Sequence, residues 1–121
     1  MRNALAGKEA TVPPGAMEWV YSKDAARGTV MALDAKDLGS GVFNITMGAM
    51  TTPAEMAAAI GAVVPGAKVK FEAPAGTAIS LANRLEHADL SRTKRHLGFE
   101  PQFPLPAAVK DLAEWMRRYM A

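Results

Sequence analysis

Apolar residues recur along this chain in short blocks whose period alternates between two and about three and a half. That alternation predicts strands and helices in turn. Met17 to Tyr21 is an aromatic and β-branched run that reads as a strand, with Met17, Trp19 and Tyr21 on one face. Ser22 is placed to cap a helix running to about Leu33, with Asp24 in its first turn and Ala26, Val30 and Leu33 on one side. Asp37 to Gly41 reads as a turn. Val42 to Thr46 is mostly apolar, the pattern of a strand buried on both faces. Thr52-Pro-Ala-Glu55 combines a capping box with proline at the first helical position, and the helix it opens carries Met56, Ile60, Val63 and Val64 up to Pro65-Gly66. Lys68 to Glu72 alternates as a one-sided strand does.

The remaining segments are read from their punctuation. Residues 1 to 10 suit the tail of a helix ending near Gly7, and the Pro-Pro-Gly of 11 to 16 marks a loop. Residues 73 to 86 carry no decisive pattern. Asp89 precedes a short helix in which Leu90, Thr93 and Leu97 share a face, Gly98 is placed for a left-handed exit, and Pro101 forbids continuation. After Pro104 and Pro106 a last helix presents Leu105, Val109, Leu112 and Met116, broadened by Ala108, Trp115 and Tyr119. The order predicts one α/β domain over 1–121, with a small parallel or mixed sheet of about three strands and about four helices. A strand such as 42–46 wants neighbours on both sides, and an open edge there invites pairing with another chain. The pattern is that of part of something larger.

Composition narrows the function classes. The chain has 121 residues, half of them hydrophobic and 21% charged, with a net charge of +2. Arg92, Lys94, Arg95 and His96, with Arg117 and Arg118, hold much of the positive charge, but no aromatic residues interleave with them, which argues against a nucleic-acid surface. There is no cysteine, which removes thiolate chemistry. Lys8 and Glu9 interrupt any leader-like apolar run, and no stretch is apolar for long enough to span a membrane, so a cytoplasmic protein is expected. His87, Asp89 and His96 lack metal-ligand spacing, and no metal site is expected. Gly39-Ser-Gly41 leads into a strand and has Asn44 where a third glycine would stand, which disfavours a cofactor loop.

Four landmarks, in order, resemble the C-terminal half of the NAD-dependent epimerase/dehydratase family, the extended short-chain dehydrogenases/reductases. They are Trp19-Val-Tyr-Ser-Lys-Asp-Ala-Ala-Arg27; Val42-Phe-Asn-Ile-Thr46 followed by the Thr52–Glu55 cap; Asp89-Leu-Ser-Arg-Thr-Lys-Arg-His-Leu-Gly-Phe-Glu-Pro101; and the closing helix with Trp115. The resemblance implies a substrate-binding portion whose parent enzyme uses NAD or NADP. The nucleotide fold and a catalytic tyrosine–lysine pair would lie in an N-terminal half that this chain lacks. Four residues after Tyr21 stands Ala25, so no catalytic residue is assigned here and no cofactor is expected to bind this chain alone.

Trp19, Tyr21 and Arg84 are the candidate substrate-facing residues, while Asp24, Thr52, Glu55 and Asp89 read as helix caps. Where the family's nucleotide-sugar epimerases place a diphosphate-binding arginine, this chain has Met17, and Lys23 replaces the first acid of an acidic pair. Loss of that clamp points to a smaller sugar acid or other hydroxy compound. The expected partners are that small-molecule substrate and either a second copy or a separate N-terminal half, without nucleic acid or membrane. The competing reading is a free-standing, non-catalytic α/β module that oligomerises through its open edge.

Overall fold

The computed structural model describes residues 1–36, 38–72 and 87–120. Five helices are present among them: α1 (Arg2–Leu5), α2 (Ser22–Asp34), α3 (Pro53–Val63), α4 (Ser91–Leu97) and α5 (Leu105–Tyr119). Four short strands accompany them: β1 (Ala10–Val12), β2 (Met17–Glu18), β3 (Met50–Thr51) and β4 (Val69–Phe71). β1 pairs in parallel with β4, Ala10 opposite Val69 and Val12 opposite Phe71, and β2 pairs with β3 in a second two-stranded sheet. The mixed α/β class and a parallel pair are as the pattern predicts.

The chain divides into two compact units. The first comprises Met1–Met17, Thr51–Arg84 and Leu105–Ala121, and the second Glu18–Met50 and Leu85–Pro104. The core of the first unit is Ala4, Ala10, Val12, Ala59, Ile60 and Val109, with Met56, Val63 and Leu105 packed around it. Half of that core is alanine, and α3 packs against both α5 and β1. Thr11 and Val12 of β1 lie inside the stretch 11 to 16 that Pro-Pro-Gly marked as a loop, and Ala10 lies just before it. Three residues are too few to declare a strand, and the parallel ladder to β4 decides the matter. Arg117 closes the end of α3 by donating to the Val63 carbonyl at 3.0 Å.

The cap of α3 forms as its sequence dictates. The Glu55 amide donates to Thr52 Oγ1 at 3.2 Å, and the Thr52 amide donates back to Glu55 Oε2 at 2.8 Å. Removing the hydroxyl leaves a first-turn donor unsatisfied. Thr52→Ala is therefore expected to lower stability by about 1 kcal/mol in urea denaturation, with Thr52→Ser near wild type.

Four helix and strand expectations are corrected over residues 17–46. Ser22 is the first residue of α2 rather than its cap, and Tyr21 occupies the cap position without a side-chain bond. The predicted Ala26/Val30/Leu33 face of α2 is not its packed face, for Val30 is 54% and Leu33 79% exposed. The helix instead buries Asp24 and Gly28. Gly28 allows close approach to Ile45, since a Cβ there would stand 2.7 Å from Ile45 Cδ1.

Residues 42–46 form no ladder, and Val42 is 80% exposed, so the expected doubly buried strand is absent from this chain. The predicted strand 17–21 likewise shortens to β2. β-propensity supplies the pattern, but a ladder needs a partner strand beside it. In α5, Trp115 and Tyr119 stack on each other, ring centroids 5.5 Å apart, outside the buried stripe they were expected to widen.

Candidate functional site

The second unit is organised around Asp24. Its carboxylate, 1% exposed, accepts from the amides of Gln102 at 3.0 Å and Phe103 at 2.9 Å, and from Arg27 at 3.1 Å. Arg27 in turn donates to the Glu100 carbonyl and lies 4.8 Å from the centre of the buried Phe99 ring. Burial pushes the Asp24 carboxyl up, but the Gln102 and Phe103 amides and Arg27 more than offset it and hold it below its ordinary value. A residue read as a helix cap is thus a tertiary anchor that clasps the turn after α4. Arg27 stands three residues after Asp24 in the sequence, but nothing there points to the distant amides that donate to Asp24.

α4 stops at Gly98 as predicted, but its cap position falls at Leu90, without a side-chain bond, and Asp89 stands one residue earlier. The Ser91 amide and hydroxyl donate to Asp89 at 2.8 and 2.9 Å, and Gly98 exits at φ 63°. The Ser91 hydrogen bonds, with smaller help from Arg95 and His87, hold the Asp89 carboxyl low. Thr93, fully buried, donates its hydroxyl to the Asn44 carbonyl at 2.7 Å, and Asn44 donates its side-chain amide to the Asp89 carbonyl at 3.0 Å. These bonds hold residues 42–46 in place of a ladder. Glu18 accepts from Thr46 Oγ1 at 2.6 Å and from the Ala88 amide at 2.8 Å.

Against that frame, Trp19 and Tyr21 are half-buried. The Trp19 carbonyl accepts from the Met47 amide at 2.9 Å, and the Tyr21 ring packs on Phe103 with centroids 5.0 Å apart. Lys23 lies 5.6 Å from the same Phe103 ring. Arg84 lies outside the described residues. Trp19 and Tyr21 belong to one unit, and the structure describes no contact that draws the three candidates together. In the first unit a groove of about 360 Å³ is lined by Leu5, Val64, Met116 and Met120 with Arg2 and Arg117, and neither tryptophan nor tyrosine candidate borders it.

Gly39-Ser40-Gly41 leads into the 42–46 segment rather than a helix, and the Arg92 guanidinium occupies the space beside Gly41, 2.1 Å from where a Cβ would sit. No group of three or more histidine or acidic residues suited to a metal ion occurs among the described residues.

No family model and no curated protein matches the chain. Solved structures do. A partial consensus L-threonine 3-dehydrogenase superposes with a TM-score of 0.80 and 28% identity over 97% of this chain and 40% of its own. The holo form of a GalE-like L-threonine dehydrogenase from Cupriavidus necator gives 0.77 and 30%, over 94% of this chain and 39% of its own. A UDP-N-acetylglucosamine 4-epimerase from Bacillus cereus gives 0.69 and 26%, over 96% and 39%. The architecture is a partial α/β fold of the epimerase and dehydrogenase type. The chain fits a fragment of an extended short-chain dehydrogenase/reductase, the family that its four sequence landmarks resemble, and spans about two-fifths of the length of the structures it matches.

Proposed function

We propose that this chain is the C-terminal, substrate-binding portion of an NAD(P)-dependent cytoplasmic dehydrogenase that acts on a small hydroxy amino acid of the L-threonine type. The observation that carries this reading is the likeness to L-threonine dehydrogenases, 28–30% identical over 94–97% of the chain. The UDP-sugar epimerases stand lower, at 26% for the Bacillus cereus UDP-N-acetylglucosamine 4-epimerase and 18% for its UDP-glucuronic acid 4-epimerase. Met17, neutral and half-buried in β2, offers no bidentate partner for a diphosphate, which also favours a substrate without one. In this reading Trp19, Tyr21 and Arg84 face the substrate, and the reacting residues and the cofactor belong to the rest of the enzyme. The chain alone is not catalytically competent.

The test joins the chain to the dinucleotide-binding portion of the Cupriavidus necator enzyme. The joined protein is expected to reduce NAD in the presence of L-threonine and not of a UDP-sugar. A joined protein that binds NAD yet shows no threonine-dependent reduction overturns the reading.

A further inference from the structure

The groove of the first unit, about 360 Å³, lies between α1, the end of α3 and the last turns of α5. Small-molecule sites hold roughly 300–1,000 Å³, so this one suits a small ligand. Leu5, Val64 and Met116, all half-buried, line it together with Met120. The unbranched side chains of Met116 and Met120 adapt to the shape of what lies against them. The charge at the groove is of one sign. Arg2 and Arg117 border it, and no acidic residue does. Arg117 engages the Val63 carbonyl through Nη2, which fixes the guanidinium and leaves its other donors. Arg2 has no such task, and it pairs with no carboxylate among the described residues. Two guanidinium groups beside an apolar lining match a molecule that is anionic at one end and apolar along the rest.

We propose that this groove binds a carboxylate with a short, unbranched aliphatic tail, of the octanoate class. Arg2 and Arg117 hold the carboxylate, and Leu5, Val64, Met116 and Met120 cover the tail. Both halves of the ligand are required. An inorganic anion leaves the apolar lining in water, and a neutral chain leaves the guanidinium groups without a partner. The proposal goes beyond the functional reading above and does not depend on it, because every residue it uses is in this chain.

The experiment titrates octanoate into the chain with its methionine methyl groups labelled for NMR. The Met116 and Met120 methyls are expected to shift and saturate with a Kd of about 1 mM or tighter, while those of Met31 and Met47 in the second unit stay in place. Hexanoate should bind more weakly by roughly fourfold for each methylene lost. The uncharged analogue 1-octanol, and octanoate with the Arg2→Glu variant, should each bind at least about tenfold more weakly. Arg118→Glu, one residue beyond Arg117 and outside the lining, should change the affinity by less than about twofold. Arg2 is exposed, so its variant is expected to keep the wild-type thermal midpoint. Equal affinity for octanoate and 1-octanol overturns the proposal. So does the absence of saturable binding, or binding that leaves the Met116 and Met120 methyls unmoved. Unchanged affinity in a folded Arg2→Glu removes Arg2 from the site and overturns it too. Should that variant fail to fold, the 1-octanol comparison and the chain-length series decide the matter on the wild-type chain.

Discussion

Asp24→Ala is expected to destabilise the protein by about 3–5 kcal/mol in urea denaturation, the range seen when one member of a buried charge pair is removed. The cost has three parts. The amides of Gln102 and Phe103 lose their acceptor, and Arg27 loses the carboxylate that neutralises it. Each buried donor left unsatisfied carries a desolvation penalty. Asp24→Asn should fall between wild type and alanine, because one amide oxygen can still accept. The same bonds set a pH dependence. Asp24 titrates below its ordinary value of 3.8 in the folded chain, so its contribution is fully present above that value and is lost as the pH falls through the lower folded value. Urea midpoints measured between neutral and strongly acidic pH should drop less steeply at the acid end in Asp24→Asn than in wild type.

Phe99→Ala is the second large effect, a loss of about 3–5 kcal/mol. Phe99 is 1% exposed and is the largest fully buried side chain among the described residues. Its ring also carries the Arg27 guanidinium on one face, so truncation leaves a cavity under the cation that Asp24 holds. Phe99→Leu retains most of the volume and is expected to cost less than about 1.5 kcal/mol. The two sites are in one network through Arg27, so the double variant Asp24→Ala, Phe99→Ala should lose less than the sum of the singles. Additivity in that cycle would show that Arg27 does not link them.

Local signals survived into the structure wherever neighbours in sequence complete the interaction. The capping box of Thr52 and Glu55, the Asp89 bonds to Ser91 and the left-handed exit at Gly98 each close within a few residues. The α2 face failed because a glycine and a buried charge decide how that helix packs, and a hydrophobic period counts neither. Gly28 was unreadable without Ile45 seventeen positions on, just as Asp24 was unreadable without the amides of Gln102 and Phe103. Of the candidate site, Trp19 and Tyr21 were legible as an aromatic pair, but Phe103 against Tyr21 was not.

By itself, the sequence determined where the longer helices lie, the capping box of α3, the glycine stop of α4, the α/β class and the family landmarks, because these depend on short-range hydrogen bonds and on the period of apolar positions. Only the tertiary structure decided that Asp24 is an anchor rather than a cap, that α2 turns its apolar stripe outward, and that Val42–Thr46 stands without a ladder. Those outcomes depend on groups far apart in the chain, whose approach is governed by packing volume and by the pairing of buried charge.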